Sequence, residues 1–551
     1  MKCTFDLVYH LASTTRSFPL LLTADADAEN DDLTVSVEDD GARRRVTLKA
    51  KRDLILDDYT EFDSALLQGG DDPANDRYFL NGYQSWTDTR ETYLSECEHD
   101  VTRLPKALVR RFAFDRYGDA TFFPYDKNVL HGYDVFYRRG SRECFFSNLN
   151  AENAFLVFSV DRTSGKTKLQ SDVSGARVKV GEEYAVCEYL FASSFDAGVR
   201  AFKNAFHARK AEKLLGYTSW YNYYRDVNET ILTRDLASLD ERFDLFQIDD
   251  GYETYVGDWL DVDPVKFPNG LSPFVEAAHE RGIRAGIWLA PFVAESKSRL
   301  FTERPDLFRR GEDGQPILCG SNWSGFYALD LENGEARDYI RRCLSRYAEM
   351  GFDFFKLDFL YAACLPVYPG KTRARAASDA FGFLRECLGD KLILGCGAPL
   401  FPAAGKFDYM RVGPDVSLKF DDAWFMRFMH RERISTKVTL QNTVYRSFLD
   451  GALFGCDPDV FLLRDANLSL SPERREALLT LNALFGRLLM TSDNIADYDS
   501  EKREALTRAL ALFRRASVAE YEREGDRIRV SYVLNGQETE LRYDTRKGVL
   551  V

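Results

Sequence analysis

From Gly216 onward, short apolar segments alternate with amphipathic ones, and this alternation limits the fold more than any other feature of the chain. Gly216–Trp220, Phe243–Asp249, Arg284–Leu289 and Gly351–Asp358 each read as a buried strand, as do Leu392–Cys396, Tyr409–Val412, Val460–Leu463 and Arg487–Met490. Helices fall between them. One opens at Ser272 with Pro273 in its first turn and closes at Gly282. Another, Gly334 to Met350, puts Ile340, Cys343, Leu344 and Tyr347 on one face and stops at Gly351. Eight strand–helix units within about 280 residues predict a (β/α)8 barrel. A doubly wound sheet is the rival, but no glycine-rich nucleotide loop follows the first strand.

The flanks read differently. Residues 1–194 carry short alternating strands such as Leu33–Val37, Arg45–Lys49 and Ala154–Phe158, punctuated by Gly, Asp and Asn. That pattern predicts an antiparallel β-sandwich. A helix over 195–215 is expected to lead into the barrel at 216–495. Residues 496–551 read as a small antiparallel β domain with a hairpin at Asn535-Gly536. The net charge of −14 argues against a nucleic-acid or anionic-membrane partner. No apolar run reaches the length of a membrane span, and the first residues lack a signal-peptide pattern. The ten cysteines are scattered without a CxxC pair, as expected of reduced thiols in a cytoplasmic protein. Nothing in the sequence fixes the oligomeric state.

In a parallel barrel, chemistry sits at the C-terminal ends of the strands. Those ends carry Trp220, Tyr221 and Asn222, then Asp249 and Asp250, Trp288, Lys356 and Asp358, Cys396, Arg411 with Asp415 just beyond, and Ser492 with Asp493. Singly, each has an ordinary reading. Asp249-Asp250-Gly251 suits a turn or cap, Lys356 and Asp358 an ion pair, Cys396 a small buried hydrophobe, and Arg411 a loop tie. Their recurrence at one end of successive strands favours a site. The six histidines, at 10, 99, 131, 207, 279 and 430, end no barrel strand. That disfavours a transition-metal site and Ser-His-Asp or Cys-His catalysis. Phosphate chemistry would want more cations than acids. An all-oxygen magnesium site stays open, although it would sit awkwardly beside Lys356 and Arg411.

Paired carboxylates with tryptophan walls suit glycoside hydrolysis, in which one acid stays ionised and the other holds a proton. Lys356 and Asp358 share a strand face roughly 6 to 7 Å apart, so the lysine's charge should favour an ionised Asp358. Asp415, placed among other carboxylates, should be the group that keeps its proton.

The motifs Asn81–Trp86, Gly216–Trp220, Phe246–Tyr252, Gly257–Trp259, Gly286–Pro291, Phe355–Phe359, Leu394–Gly397 and Arg411–Asp415 resemble those of the melibiase-type α-galactosidases, glycoside hydrolase family 36 of clan D. The resemblance implies Asp358 as nucleophile and Asp415 as acid/base. It implies Asp249 and Asp250 on the 4- and 6-hydroxyls of galactose, and Lys356 on the 3- and 4-hydroxyls. Arg411 and Cys396 would lie around the 2-hydroxyl, Trp288 would form a pocket wall, and Trp86 would reach over the barrel mouth. Trp220 is a weaker carry-over. The activity implied is a retaining, exo-acting α-galactosidase on small oligosaccharides of the melibiose and raffinose type, with no metal and no organic cofactor. An α-N-acetylgalactosaminidase or an α-galactosyl transferase are the alternatives on the same fold, and a sugar-binding protein without turnover is the third. Cys396-Gly-Ala-Pro-Leu400 departs from the longer Cys-x-Gly-Gly-Gly stretch of some members. That leaves acceptor-side specificity open.

Overall fold

The computed structural model describes residues 3–11, 14–22, 27–62, 67–96, 104–421 and 431–551. The eight expected barrel strands form: the second, fourth, fifth and sixth are shorter than the sequence pattern, the third matches it, and the first and eighth keep their length but are shifted along the chain. In chain order they are Leu214–Thr218, Leu245–Ile248, Arg284–Leu289, Phe354–Leu357, Leu392–Gly395, Tyr409–Arg411, a seventh in two pieces, and Leu488–Thr491. Neighbours pair in parallel all the way round, and the first strand closes on the eighth at Leu214↔Leu488.

The seventh strand starts earlier than the apolar run predicts. Gly455–Asp457 pairs with the sixth strand, and Val460–Phe461 pairs with the eighth. Between them stand Pro458, which has no N–H for a ladder, and Asp459, whose φ is +71°. The strand is therefore bent where it changes partner. A fully apolar strand was expected there, and the polar Asp457-Pro458-Asp459 triplet hid its first half.

Two antiparallel sheets, of seven and eight strands, make up the amino-terminal sandwich. They face each other across a core that includes Leu48, Leu56, Phe136, Phe146, Phe158 and Tyr189. Arg43–Ala50 buries every second side chain, as a one-sided strand should. The connecting helix is shorter than predicted, Phe195–Ala205. Phe206 turns extended and lays its ring against Phe202 and Phe401, which ends the helix and starts the run into the barrel. At the far end, Ser517–Glu524, Arg527–Leu534, Gln537–Asp544 and Val549–Leu550 form a four-stranded antiparallel sheet. Asn535 and Gly536 take φ of +53° and +82°, the hairpin turn that their sequence demands.

Arg446, after the Thr436–Tyr445 helix, joins sandwich to barrel. Its guanidinium is wholly buried and has no carboxylate at ion-pair distance among the described residues. It donates to Asn81 Oδ1 at 2.9 Å, Ser85 O at 2.6 Å and Gln84 O at 3.1 Å on the sandwich side, and to Val412 O at 2.7 Å beyond the sixth strand. Burial pushes its pKa down to about 9. Arg446→Met should therefore strand several buried acceptors and destabilise the fold by at least about 3 kcal/mol, since each such loss costs about 1–3 kcal/mol. Urea denaturation of the two proteins measures this; a change under about 1 kcal/mol would refute the clasp.

Candidate active site

At the C-terminal ends of the barrel strands lies a cavity of about 320 Å³. A larger cleft, about 560 Å³, lies at the opposite strand ends against the 517–524 strand and holds no such constellation. The cavity brings together Asp249, Asp250, Trp288, Lys356, Asp358, Asp415, Trp86 and Trp220 from the sequence-derived set. Arg411 and Cys396 do not line it. Both are buried behind the wall, Arg411 in contact with Asp415. Ser492 and Asp493 are structural. Ser492 Oγ bonds the first strand's end at Thr218 O, and Asp493 pairs with Arg464 at 2.8 Å. Trp220 sits on a helical turn, Trp220–Tyr223, rather than on the strand itself.

Asp358 follows the fourth strand, anchored by its own N–H to Leu289 O at 2.8 Å. Each carboxylate oxygen accepts one hydrogen bond: Oδ2 from Trp288 Nε1 at 3.1 Å and Oδ1 from Phe359 N at 2.8 Å. Burial raises its pKa above the ordinary carboxylate value; Lys356 pulls it back, and the charge of Asp415 pushes it up again. Lys356 thus acts on Asp358 as the strand geometry predicts, but it does not pair with it. Its Nζ lies 2.8 Å from Asp249 Oδ2. Asp249 also accepts from Gln247 Nε2 at 3.1 Å, and its Oδ1 takes the Asp250 N–H at 3.0 Å.

Asp415, expected among like charges, has a cation as its direct contact: Arg411 Nη1 reaches its Oδ1 at 2.9 Å. The same guanidinium meets Asp457 Oδ2 and Asp459 Oδ1, each at 2.8 Å. Tyr221, beneath Trp220, donates its hydroxyl to Asp459 Oδ2.

Trp86 comes from the sandwich. It packs edge-on to Phe359 with centroids 5.2 Å apart and edge-on to Tyr361 at 5.8 Å. It can approach because Gly397 has no side chain, where a Cβ would meet Trp86 Cζ2 at 2.7 Å. The neighbouring backbone supports it, Ser85 N donating to Ala398 O at 2.9 Å. The Cys396–Leu400 stretch is therefore a seat for the sandwich loop.

Several site residues escaped the sequence reading. Trp323, in an Asn-Trp-Ser-Gly turn far from any barrel strand, donates Nε1 to Asp250 Oδ2 at 2.8 Å. Tyr117, Tyr224 and Glu432 also line the cavity. Their signal was only that of aromatic or charged residues in loops. The 261–266 loop does not reach the cavity; Lys266 braces the carbonyls of Arg225 and Gly251 instead. No group of three or more His, Cys, Asp or Glu among the described residues is arranged to hold a metal ion. His99 and His430 lie outside those residues.

Glu253 is a further buried acid, close enough to Asp250 for the two charges to act on each other. Burial, and then the charge of Asp250, lift its pKa well above 4.5; Asp250 is itself raised by burial. We expect the pair to hold one proton between them. A folded state that holds an extra proton loses stability as pH climbs from the unfolded value through the folded one. Glu253→Gln keeps a donor toward Asp250 and has no proton to lose. Its denaturation midpoint should fall less than that of the wild type between pH 5 and 9, and identical slopes would refute the shared proton.

Residues 196–381 match the protein family described as melibiase. The α-galactosidase Mel36A of Lactobacillus acidophilus is 26% identical over 262 residues, 42% of this chain and 34% of that protein. The A type blood α-D-galactosamine galactosaminidase of Flavonifractor plautii is 28% identical over 219 residues, 34% of this chain and 19% of that protein. The matched part of the chain thus spans about a third or less of these relatives. A solved structure of TtGalA, an α-galactosidase from Thermus thermophilus in complex with p-nitrophenyl α-D-galactopyranoside, superposes with a TM-score of 0.71. It is 25% identical, and the match covers 94% of this chain and 99% of that one.

Proposed function

We propose that this chain, which resembles the melibiase-type α-galactosidases of glycoside hydrolase family 36 in sequence and in fold, is a retaining α-galactosidase that removes terminal α-D-galactosyl residues from small oligosaccharides. The observation that carries the reading is the meeting of Asp358 and Asp415 in one cavity whose other walls present Asp249, Asp250 and Lys356. In this reading the barrel at 216–495 does the chemistry, framed by the divisions 1–194 and 496–551.

Asp358 is the nucleophile. Its carboxylate oxygen attacks the anomeric carbon, the glycosidic bond breaks, and the departing oxygen takes the proton of Asp415. Water then attacks the same carbon as Asp415 takes back a proton, and Asp358 leaves. Two inversions give net retention. The donors on Asp358, the Trp288 indole and the Phe359 amide, oppose the effect of burial and favour the ionised form that the attack requires. Asp249, Asp250 and Lys356 bind sugar hydroxyls, with Asp250 oriented by Trp323. Buried carboxylates that expect an axial hydroxyl are left unpaired by the epimer, which is how such a site rejects glucose. Trp288 walls the pocket and Trp86 caps it, which suits exo action on a chain end. Arg411 and Cys396 act from behind the wall, on the side where the 2-substituent would lie. Trp220, beside Tyr224, faces the leaving group.

The eight cysteines with described side chains are all free thiols, consistent with a cytoplasmic protein. No described helix is long and apolar enough to cross a membrane.

The test is hydrolysis of nitrophenyl α-galactoside, followed by proton NMR of the first-formed sugar. α-Galactose is expected first; β-galactose, or no turnover by folded protein, would sink the reading. Asp358→Ala should abolish turnover, and Asp415→Ala should lower kcat/KM for melibiose by about 10² to 10⁴. The same assay with α-N-acetylgalactosaminide and with added sugar acceptors separates the galactosaminidase and transferase alternatives.

A further inference from the structure

We propose that Asp459 is a positioning residue that works through Arg411 to let Asp415 keep its proton. The inference rests on the acid/base role proposed for Asp415. A guanidinium 2.9 Å from a carboxyl favours the ionised form, the opposite of what a proton donor needs. Arg411 alone would therefore disable Asp415. It is not alone: Asp457 and Asp459 meet the same guanidinium at 2.8 Å each. Both are buried, so water does little to screen them. Three carboxylates thus face one cation, and the two deeper ones offset its pull on Asp415.

Of the two, Asp459 is the more closely tied to the acid. Its Oδ2 accepts from Val416 N at 2.7 Å, the residue after Asp415, and from the Tyr221 hydroxyl. Burial pushes its own carboxyl up to about 7, so its charge, unlike a surface aspartate's, is set near neutrality. The other groups bearing on this cluster are Asp358, Lys356, Cys396 and the Tyr224 ring on the cavity wall. None of these supplies a second positive charge in direct contact with Asp415. Asp459 adopts φ +71° between Pro458 and Val460, a conformation that asparagine also tolerates.

The experiment is the pH profile of kcat/KM for wild type, Asp459→Asn and Tyr221→Phe, with melibiose and with nitrophenyl α-galactoside. The alkaline limb reports the proton on the acid. Removing the charge of Asp459 leaves Arg411 freer to ionise Asp415. The limb for melibiose should then move to lower pH by about one unit, a roughly tenfold loss above the limb. Nitrophenolate leaves without a proton, so its limb should move less, an asymmetry that mere damage to the site would not produce. Tyr221→Phe takes one donor from the ionised Asp459 and should move the limb the same way by less. It also decides the matter if Asp459→Asn does not fold. An active wild type whose limb stays put or rises in the variants overturns this inference alone. A wild type without α-galactosidase activity overturns the functional reading, and this inference with it.

Discussion

The site depends on one buried arginine. The barrel supplies a floor and walls, but the cap, Trp86, belongs to the sandwich, so the two must be held in register to within fractions of an ångström. Arg446 holds them with hydrogen bonds to backbone and amide oxygens rather than with an ion pair. A guanidinium buried without a counter-charge is expensive, and only a dense set of well-aimed acceptors offsets it. That makes the junction selective. A shifted sandwich would lose several bonds at once, and Trp86 would leave the surface that Gly397 clears for it.

The charges of the cavity point to the kind of ligand it suits. Arg433, a buried cation that lines the cavity, is paired with Asp421, and the two cations nearest Asp358 and Asp415, one on the wall and one behind it, are committed as well. Lys356 is paired with Asp249, and Arg411 is shared by Asp415, Asp457 and Asp459. None is left to recognise a phosphate or a carboxylate, which would have to compete with partners at hydrogen-bond distance. The acids are in excess, and carboxylates accept hydrogen bonds. The matching ligand is neutral, rich in hydroxyl donors and with one apolar face for tryptophan. A sugar meets all three conditions. Its hydroxyls can also exchange bonds with the Lys356–Asp249 pair without leaving a buried charge bare.

Much of this was legible in the sequence because barrel strands write themselves as short apolar runs ending in polar residues. Asp249, Asp250, Lys356 and Asp358 were found that way, and the structure gathers them in one cavity. The helix at Gly334–Met350 and the Asn535-Gly536 hairpin were fixed by local rules, a 3.6-residue stripe and a pair of positive φ angles, which need no tertiary information. What escaped was set by contacts distant in sequence. Trp323 lies about 70 residues from the Asp250 it orients, inside a small antiparallel insertion with no barrel periodicity. The contact of Lys356 with Asp249 escaped because a strand pattern gives neighbours along the chain, whereas Asp249 approaches from another strand. Asp415 does share its cavity with Asp249, Asp250 and Asp358, but its contact with Arg411 escaped for the same reason: Arg411 lies one turn back in sequence, and its other two partners come from the broken seventh strand.

That broken strand belongs to a wider pattern. Nine non-glycine residues among those described have positive φ. Three of them, Tyr224, Trp323 and Phe359, line the cavity, and a fourth, Asp459, grips Arg411 behind it. Each such conformation costs of order 1 kcal/mol or more for a side chain with a Cβ, and aromatic residues gain nothing from it locally. Scattered strain would have no common explanation, but strain gathered around one small cavity does. A regular strand or helix sends successive side chains to opposite or rotating faces, so it can deliver only one group to a given point. Turning the backbone left-handed lets consecutive residues serve the same space. Asp358 and Phe359 do so at the end of the fourth strand, where the amide of Phe359 closes back on the carboxylate of Asp358. The barrel's regularity brings the strand ends together, and the local departures from it make the ends dense enough for chemistry.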